Sequence, residues 1–235
     1  MHRRPTLDLL ARVPKLPSTR PRITAIGRRR GIDALLLEHY GSDPAPSLVP
    51  DDGAAVVDLL CSSGNIPSLP CLERLLSSRI TPGGVLACET VDLTTHPVHA
   101  EFIGEVANRL GVDICLPAAV EQPQVYDTLR GPLCTSLHMW STVSWLRADD
   151  HDSLYAQFTE TIGLSEVLAA MGSTSDAFEG LLREQLASAF PASKGGSILF
   201  PCSHFYLVAQ RPSLLDVYSE YAAYHNHQLD KGWKS

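Results

Sequence analysis

The 235-residue chain has six cysteines but no Cys-x-x-Cys pair. Cys61, Cys71, Cys88, Cys115, Cys134 and Cys202 mostly sit in apolar runs, where a free thiol behaves as a small hydrophobe. That spacing supports neither a zinc site nor a disulfide framework, so no metal is expected and the protein reads as reduced and cytoplasmic. No apolar run approaches the roughly 20 residues of a membrane span. The start, Met1-His2-Arg3-Arg4-Pro5, lacks the apolar core of a signal peptide. There is no P-loop, no metal-ligand spacing, no Ser-His-Asp order and no internal repeat. Positive charge is also short: the net charge is -7, which argues against a nucleic-acid partner.

What remains is an ordinary globular composition, 44% hydrophobic and 19% charged. Basic residues cluster early, from Arg3 to Arg30, which suits an acidic ligand. Ile23 to Ile26 reads as a short strand that enters the turn Gly27-Arg28-Arg29-Arg30-Gly31, and Ile32 to Tyr40 reads as a helix. Ser47 to Val49 is a very short strand, and Ala54 to Cys61 is a buried one. Cys71 to Ser78 is a helix. Thr81-Pro82-Gly83-Gly84 turns into the strand Val85 to Glu89. This alternation indicates a parallel sheet with helices on both faces.

The second half changes character. His99 to Leu110 is a helix. Gln124 to Thr161 is rich in aromatics and reads as part of a helical cap. Asp176 to Phe190 is a helix, and Ser197 to Phe200 with Phe205 to Ala209 reads as an edge hairpin. Leu214 to Leu229 reads as a terminal helix that could form a homodimer. The expected boundaries are 1–91 for a cofactor half, 92–165 for the cap, 166–212 for the sheet-completing segment and 213–235 for the terminal helix.

Three segments together resemble one family. Ile80-Thr81-Pro82-Gly83-Gly84-Val85-Leu86-Ala87 is similar to the "L-x-P-G-G-x-L-x" turn of class I methyltransferases that use S-adenosylmethionine. Arg4-Pro5-Thr6-Leu7-Asp8-Leu9-Leu10-Ala11-Arg12-Val13-Pro14 resembles the lead-in of trans-aconitate methyltransferases. Phe190-Pro191 through Ile198-Leu199-Phe200-Pro201 to Phe205-Tyr206-Leu207-Val208-Ala209 resembles their closing hairpin. The resemblance covers roughly residues 4 to 211. It implies an α/β fold, a three-layer Rossmann-like sheet of the class I methyltransferase type with a helical cap.

Departures from the family pattern shape the functional expectation. Where the family reads "D-L-G-C-G-P-G", the chain has Ala25-Ile26-Gly27-Arg28-Arg29-Arg30-Gly31. The strand-end acid is Ala25 and the middle glycine is Arg29. An arginine where the backbone must approach the ligand closely is expected to collide with a cofactor. The stretch from Ile23 to Val56 is also roughly half the family's usual length, so the sheet is expected to be trimmed. Gly27, Gly31 and Asp51 are the remaining candidates for a degenerate cofactor site. The primary expectation is therefore no cofactor: a pocket that kept its substrate but runs a cyclisation, isomerisation or lyase reaction on a small molecule. An active S-adenosylmethionine-dependent carboxyl methyltransferase and a non-catalytic partner subunit are the alternatives. The candidate catalytic residues are His138, Trp140, Tyr126, His204 and Glu89. Trp140 would supply an apolar wall and His138 a general acid or base. Glu89 stands at a strand end, where open α/β sheets meet their ligands.

Overall fold

A computed structural model describes residues 4–27, 32–40, 47–48, 55–64, 68–92, 98–114, 122–130, 133–162, 164, 168–169 and 171–219. Its strands are β1 (Arg22–Gly27), β2 (Ser47–Leu48), β3 (Val57–Ser63), β4 (Ile80–Val91), β5 (Ser136–Ala148) and β6 (Ile198–Gln210). Its principal helices are α1 (Arg4–Leu10), α2 (Ile32–Tyr40), α3 (Leu69–Arg74), α4 (Val98–Leu110), α5 (Gln122–Leu129), α6 (His151–Ile162) and α7 (Ser175–Ala189). The strands form one six-stranded sheet in the order β2-β1-β3-β4-β6-β5. This is the Rossmann-like α/β architecture that the resemblance implied.

The strand order fixes where a ligand can sit. β1 pairs in parallel with β2 on one side and with β3 on the other, and β3 pairs in parallel with β4. From β1 the chain steps outward to β2 and then back across to β3, so the order reverses between β1 and β3. Open α/β sheets bind ligands in the crevice beyond the strand ends at such a point. The central strands are apolar because they are covered on both faces: every residue of β3 is buried.

The pairing of β3 with β4 is irregular at its start. Val57 pairs with Ile80, but Leu59 already pairs with Val85, so β4 carries extra residues over that interval. The Thr81-Pro82-Gly83-Gly84 segment is thus a bulge inside β4, not the turn before it. Gly83 has φ of 78°, which L side chains rarely adopt. A Cβ on Gly84 would lie 2.9 Å from the Asp58 carbonyl oxygen. Asp58 accepts the Arg22 N–H and the Thr81 hydroxyl, each at 2.8 Å.

The described chain divides into two compact units: residues Met1–Glu89, Glu121–Met139 and Tyr206–Ser235 in one, Thr90–Val120 and Trp140–Phe205 in the other. In the second unit, α7 presents Phe178, Leu182 and Leu186 at helical spacing to a core with Leu154, Phe158 and Phe200.

Two expectations are corrected. The segment read as an edge hairpin, Ser197–Phe200 and Phe205–Ala209, is the single 13-residue strand β6. Residues 136–148, read as part of a helical cap, are strand β5. Their alternation of exposed and half-buried positions is that of a strand with one covered face. Residues 214–219 are helical as expected, but Leu214, Leu215, Val217 and Tyr218 are exposed on this chain. Tyr221 and Tyr224 lie outside the described residues.

Gly84→Ala should destabilise the protein by about 1–3 kcal/mol, the usual cost of overpacking. Urea unfolding checks this: an unchanged midpoint would show that the bulge moves freely away from Asp58.

Candidate active site

Parallel pairing carries one row of residues across three strands. Gly27 pairs with Ser63, and Ser63 with Glu89. Directly paired residues share a face of the sheet, so these three stand side by side at the carboxyl ends of β1, β3 and β4. The preceding row on that face, Ala25, Cys61 and Ala87, is uniformly small.

Glu89 is the charged member, 1% exposed. The Ser63 hydroxyl donates to its Oε2 at 3.3 Å. From α1, the fully buried Thr6 donates its hydroxyl to the same oxygen, also at 3.3 Å. The Gly64 N–H donates to the Glu89 carbonyl at 3.0 Å, so the chain leaving β3 is tied to the end of β4. Two hydroxyls on one carboxylate oxygen fix its orientation. Burial, helped by the Glu89 charge, pushes the Cys61 thiol up to about 12. Burial likewise raises Cys88. Both thiols are therefore held neutral and behave as packing groups.

The other sequence candidates are distributed over both units. In the first, Tyr126 is half-buried on α5, with the Arg130 guanidinium 5.1 Å from its ring centre. His138 is exposed on β5. In the second, Trp140 is half-buried on β5. His204 is buried on β6, with its Nε2 3.2 Å from Cys202 Sγ, two residues away on the same face. Gly27 closes β1 as expected, whereas Gly31 and Asp51 lie outside the described residues. Thr6 and Ser63 were not among the candidates. The signal available was their place in the family-like lead-in and at the end of the apolar run Val56–Cys61, but their link to Glu89 depends on strand register. Among the described residues, no group of three or more His, Cys, Asp or Glu could hold a metal ion, and no helix is long and apolar enough to cross a membrane.

A polar row at the switch point of a Rossmann-like sheet stands where open α/β sheets bind their ligands. Comparison with known proteins narrows this. No family model matches the chain. It is 27% identical over 249 residues to trans-aconitate 2-methyltransferase of Streptomyces avermitilis, covering 88% of this chain and 91% of that protein. It is 28% identical over 254 residues to the enzyme of that name from Streptomyces coelicolor, covering 89% and 82%. The YcgJ protein of Bacillus subtilis aligns over 90% of this chain and all of its own, at 12% identity and a TM-score of 0.47. These two relatives agree with the resemblance to trans-aconitate methyltransferases read from the sequence.

This similarity corrects the functional expectation. A cofactor-independent cyclase, isomerase or lyase, with no cofactor, is the wrong reading of the arginine-filled turn. Relatives matching nearly end to end are methyltransferases by name, which supports an enzyme.

Among the described cysteines, half-buried Cys71 should react first with a thiol reagent at pH 8, and Cys61 and Cys88 only on unfolding. Mass mapping of the labelled sites checks this; early labelling of Cys61 would mean that the face beneath Glu89 is open to solvent.

Proposed function

We propose that the chain is an S-adenosylmethionine-dependent methyltransferase acting on a small carboxylate-bearing acceptor. The observation that carries the reading is the Gly27–Ser63–Glu89 row beside the switch point, in a chain similar over 88% of its length to a trans-aconitate 2-methyltransferase. The donor set fits the cofactor. S-adenosylmethionine carries an ammonium and a sulfonium, and the oxygens of Ser63, Thr6 and Glu89 form an acceptor-rich cluster. Gly27, without a side chain, permits close approach at the end of β1. When bound, the cofactor supplies an electrophilic methyl group.

A carboxylate acceptor is supported by the names of the relatives and by Arg28, Arg29 and Arg30, which follow Gly27 in the sequence and can pair with planar anions. It also bears on mechanism. A carboxylic acid with a pKa near 4 is ionised at neutral pH, and its oxygen is already a nucleophile. The protein then has to position the acceptor and exclude water, and no residue has to remove a proton. On this reading neither exposed His138 nor buried His204 serves as a base.

Calorimetry should detect S-adenosylmethionine binding in the micromolar range, and labelled methyl groups should transfer to trans-aconitate or a related di- or tricarboxylate. No binding at millimolar cofactor would overturn the reading.

The His138→Ala enzyme should retain turnover within about threefold. A loss of 10²-fold or more, the range of general acid–base catalysis, would restore a proton-transfer role to His138.

A further inference from the structure

We infer that the second unit holds a binding site of its own, between α6 and α7, for a small aliphatic molecule with a protonated amine. An open cavity of about 370 Å³ is lined by Tyr155 and Thr159 of α6, Ser175 and Glu179 of α7, and Leu168 and Ala169. All six residues belong to the second unit, whereas the Gly27–Ser63–Glu89 row belongs to the first. The volume suits a small molecule, since ligand pockets run from about 300 to 1,000 Å³. Such a site stands whether or not the proposed methyl transfer does.

Tyr155 supplies the first reason to expect a ligand. It is 6% exposed, and its hydroxyl oxygen is enclosed without a hydrogen-bond partner. Buried polar groups are nearly always paired, because leaving one unpaired is costly. Burial, and then the Glu179 charge, push this hydroxyl above its ordinary range, so it is neutral at working pH. The Arg183 guanidinium lies 3.8 Å from the centre of the Tyr155 ring and holds the ring in place.

Glu179 sets the sign of that ligand, as the charged residue of the lining. Arg183 stands 3.9 Å from its carboxylate through Nη2, whereas Nη1 of the same guanidinium is 2.5 Å from Asp152. The arginine is thus committed to Asp152, and the trio of Asp152, Glu179 and Arg183 keeps one negative charge in excess. Glu179 is in the second turn of α7, past the first-turn reach of the helix dipole. The hydroxyls add acceptors. Thr159 directs its hydrogen to the Tyr155 and Ala156 carbonyls, at 3.0 and 3.1 Å, which leaves its oxygen lone pairs for another donor. An ammonium group has donors and no acceptor, and matches this set. A metal ion does not, because the lining offers it one carboxylate. Leu168 and Ala169 give an apolar wall for a short carbon chain.

Pentylamine and 1-pentanol test the site, since they are alike in size and at neutral pH only the amine is charged. Calorimetry on the full chain should show pentylamine binding at least tenfold more tightly than 1-pentanol. Glu179→Gln should weaken pentylamine tenfold or more, the loss of a charge-assisted bond. Tyr155→Phe should weaken it threefold or more, the loss of a neutral one. Glu184→Gln removes an exposed acid of α7 outside the cavity and should change binding less than twofold. Undetectable pentylamine binding, binding no tighter than that of 1-pentanol, or equal weakening by Glu184→Gln and Glu179→Gln overturns the inference. So does wild-type affinity in either Glu179→Gln or Tyr155→Phe. Thermal unfolding shows whether those two variants are folded. If they are not, amide exchange on the wild-type protein carries the test: pentylamine should protect α6 and α7 more than 1-pentanol does, and equal protection overturns the inference.

Discussion

The hydrogen bonds of the Asp58 side chain set the register on which the first unit depends. One carboxylate oxygen accepts the backbone N–H of Arg22 where β1 begins, and the other accepts the Thr81 hydroxyl in the bulge of β4. A single side chain on the middle strand thus ties both neighbours at their starts. Bonds to an ionised acceptor are stronger than neutral ones and poorly replaced. Side chains alternate with a period of two, so a slip of one residue would turn β1 or β4 over relative to β3. Glu89 would then leave the face of Ser63 and Gly27. The bulge has the same dependence, since its extra residues must be absorbed between Val57 and Leu59 for the later pairs to align.

The parts of the fold that were legible in the sequence are those with a clear period. The apolar run ending at Cys61 and the run before Glu89 are interior parallel strands, and α7 shows its helical stripe. Misreadings occurred where local chemistry ran against tertiary placement. Pro201 and the polar pair Ser203-His204 interrupt an apolar run and suggest a turn, yet β6 passes through them between β4 and β5. A proline in an interior strand is uncommon, so nothing local announces it. The alternation in β5 was masked by its aromatic content. At the site, the strand-end position of Glu89 was readable, but its partners were not: Ser63 and Thr6 lie 26 and 83 residues away in sequence.

The cofactor was misjudged for a related reason. A first turn filled with arginine departs from one motif, and motif reasoning treats that turn as the whole binding site. A nucleotide cofactor lies across several strand ends, so its contacts come from segments far apart in sequence. Similarity along nearly the entire chain weighs more than one altered turn.

The place of β6 between β4 and β5 has a consequence for how the protein is made. β4 ends at Val91 and β6 begins at Ile198, more than a hundred residues later. A ribosome adding about 5–20 residues per second takes roughly 5–20 s over that interval. During that time the nascent chain holds β4 paired on the β3 side alone, with its other edge open to any strand it meets. Two prolines inside the strands that must find one another, Pro82 in the bulge of β4 and Pro201 in β6, each remove a backbone donor. Vectorial synthesis therefore delivers the β2-β1-β3-β4 part of the sheet, which carries the site row, before β4 can pair with β6.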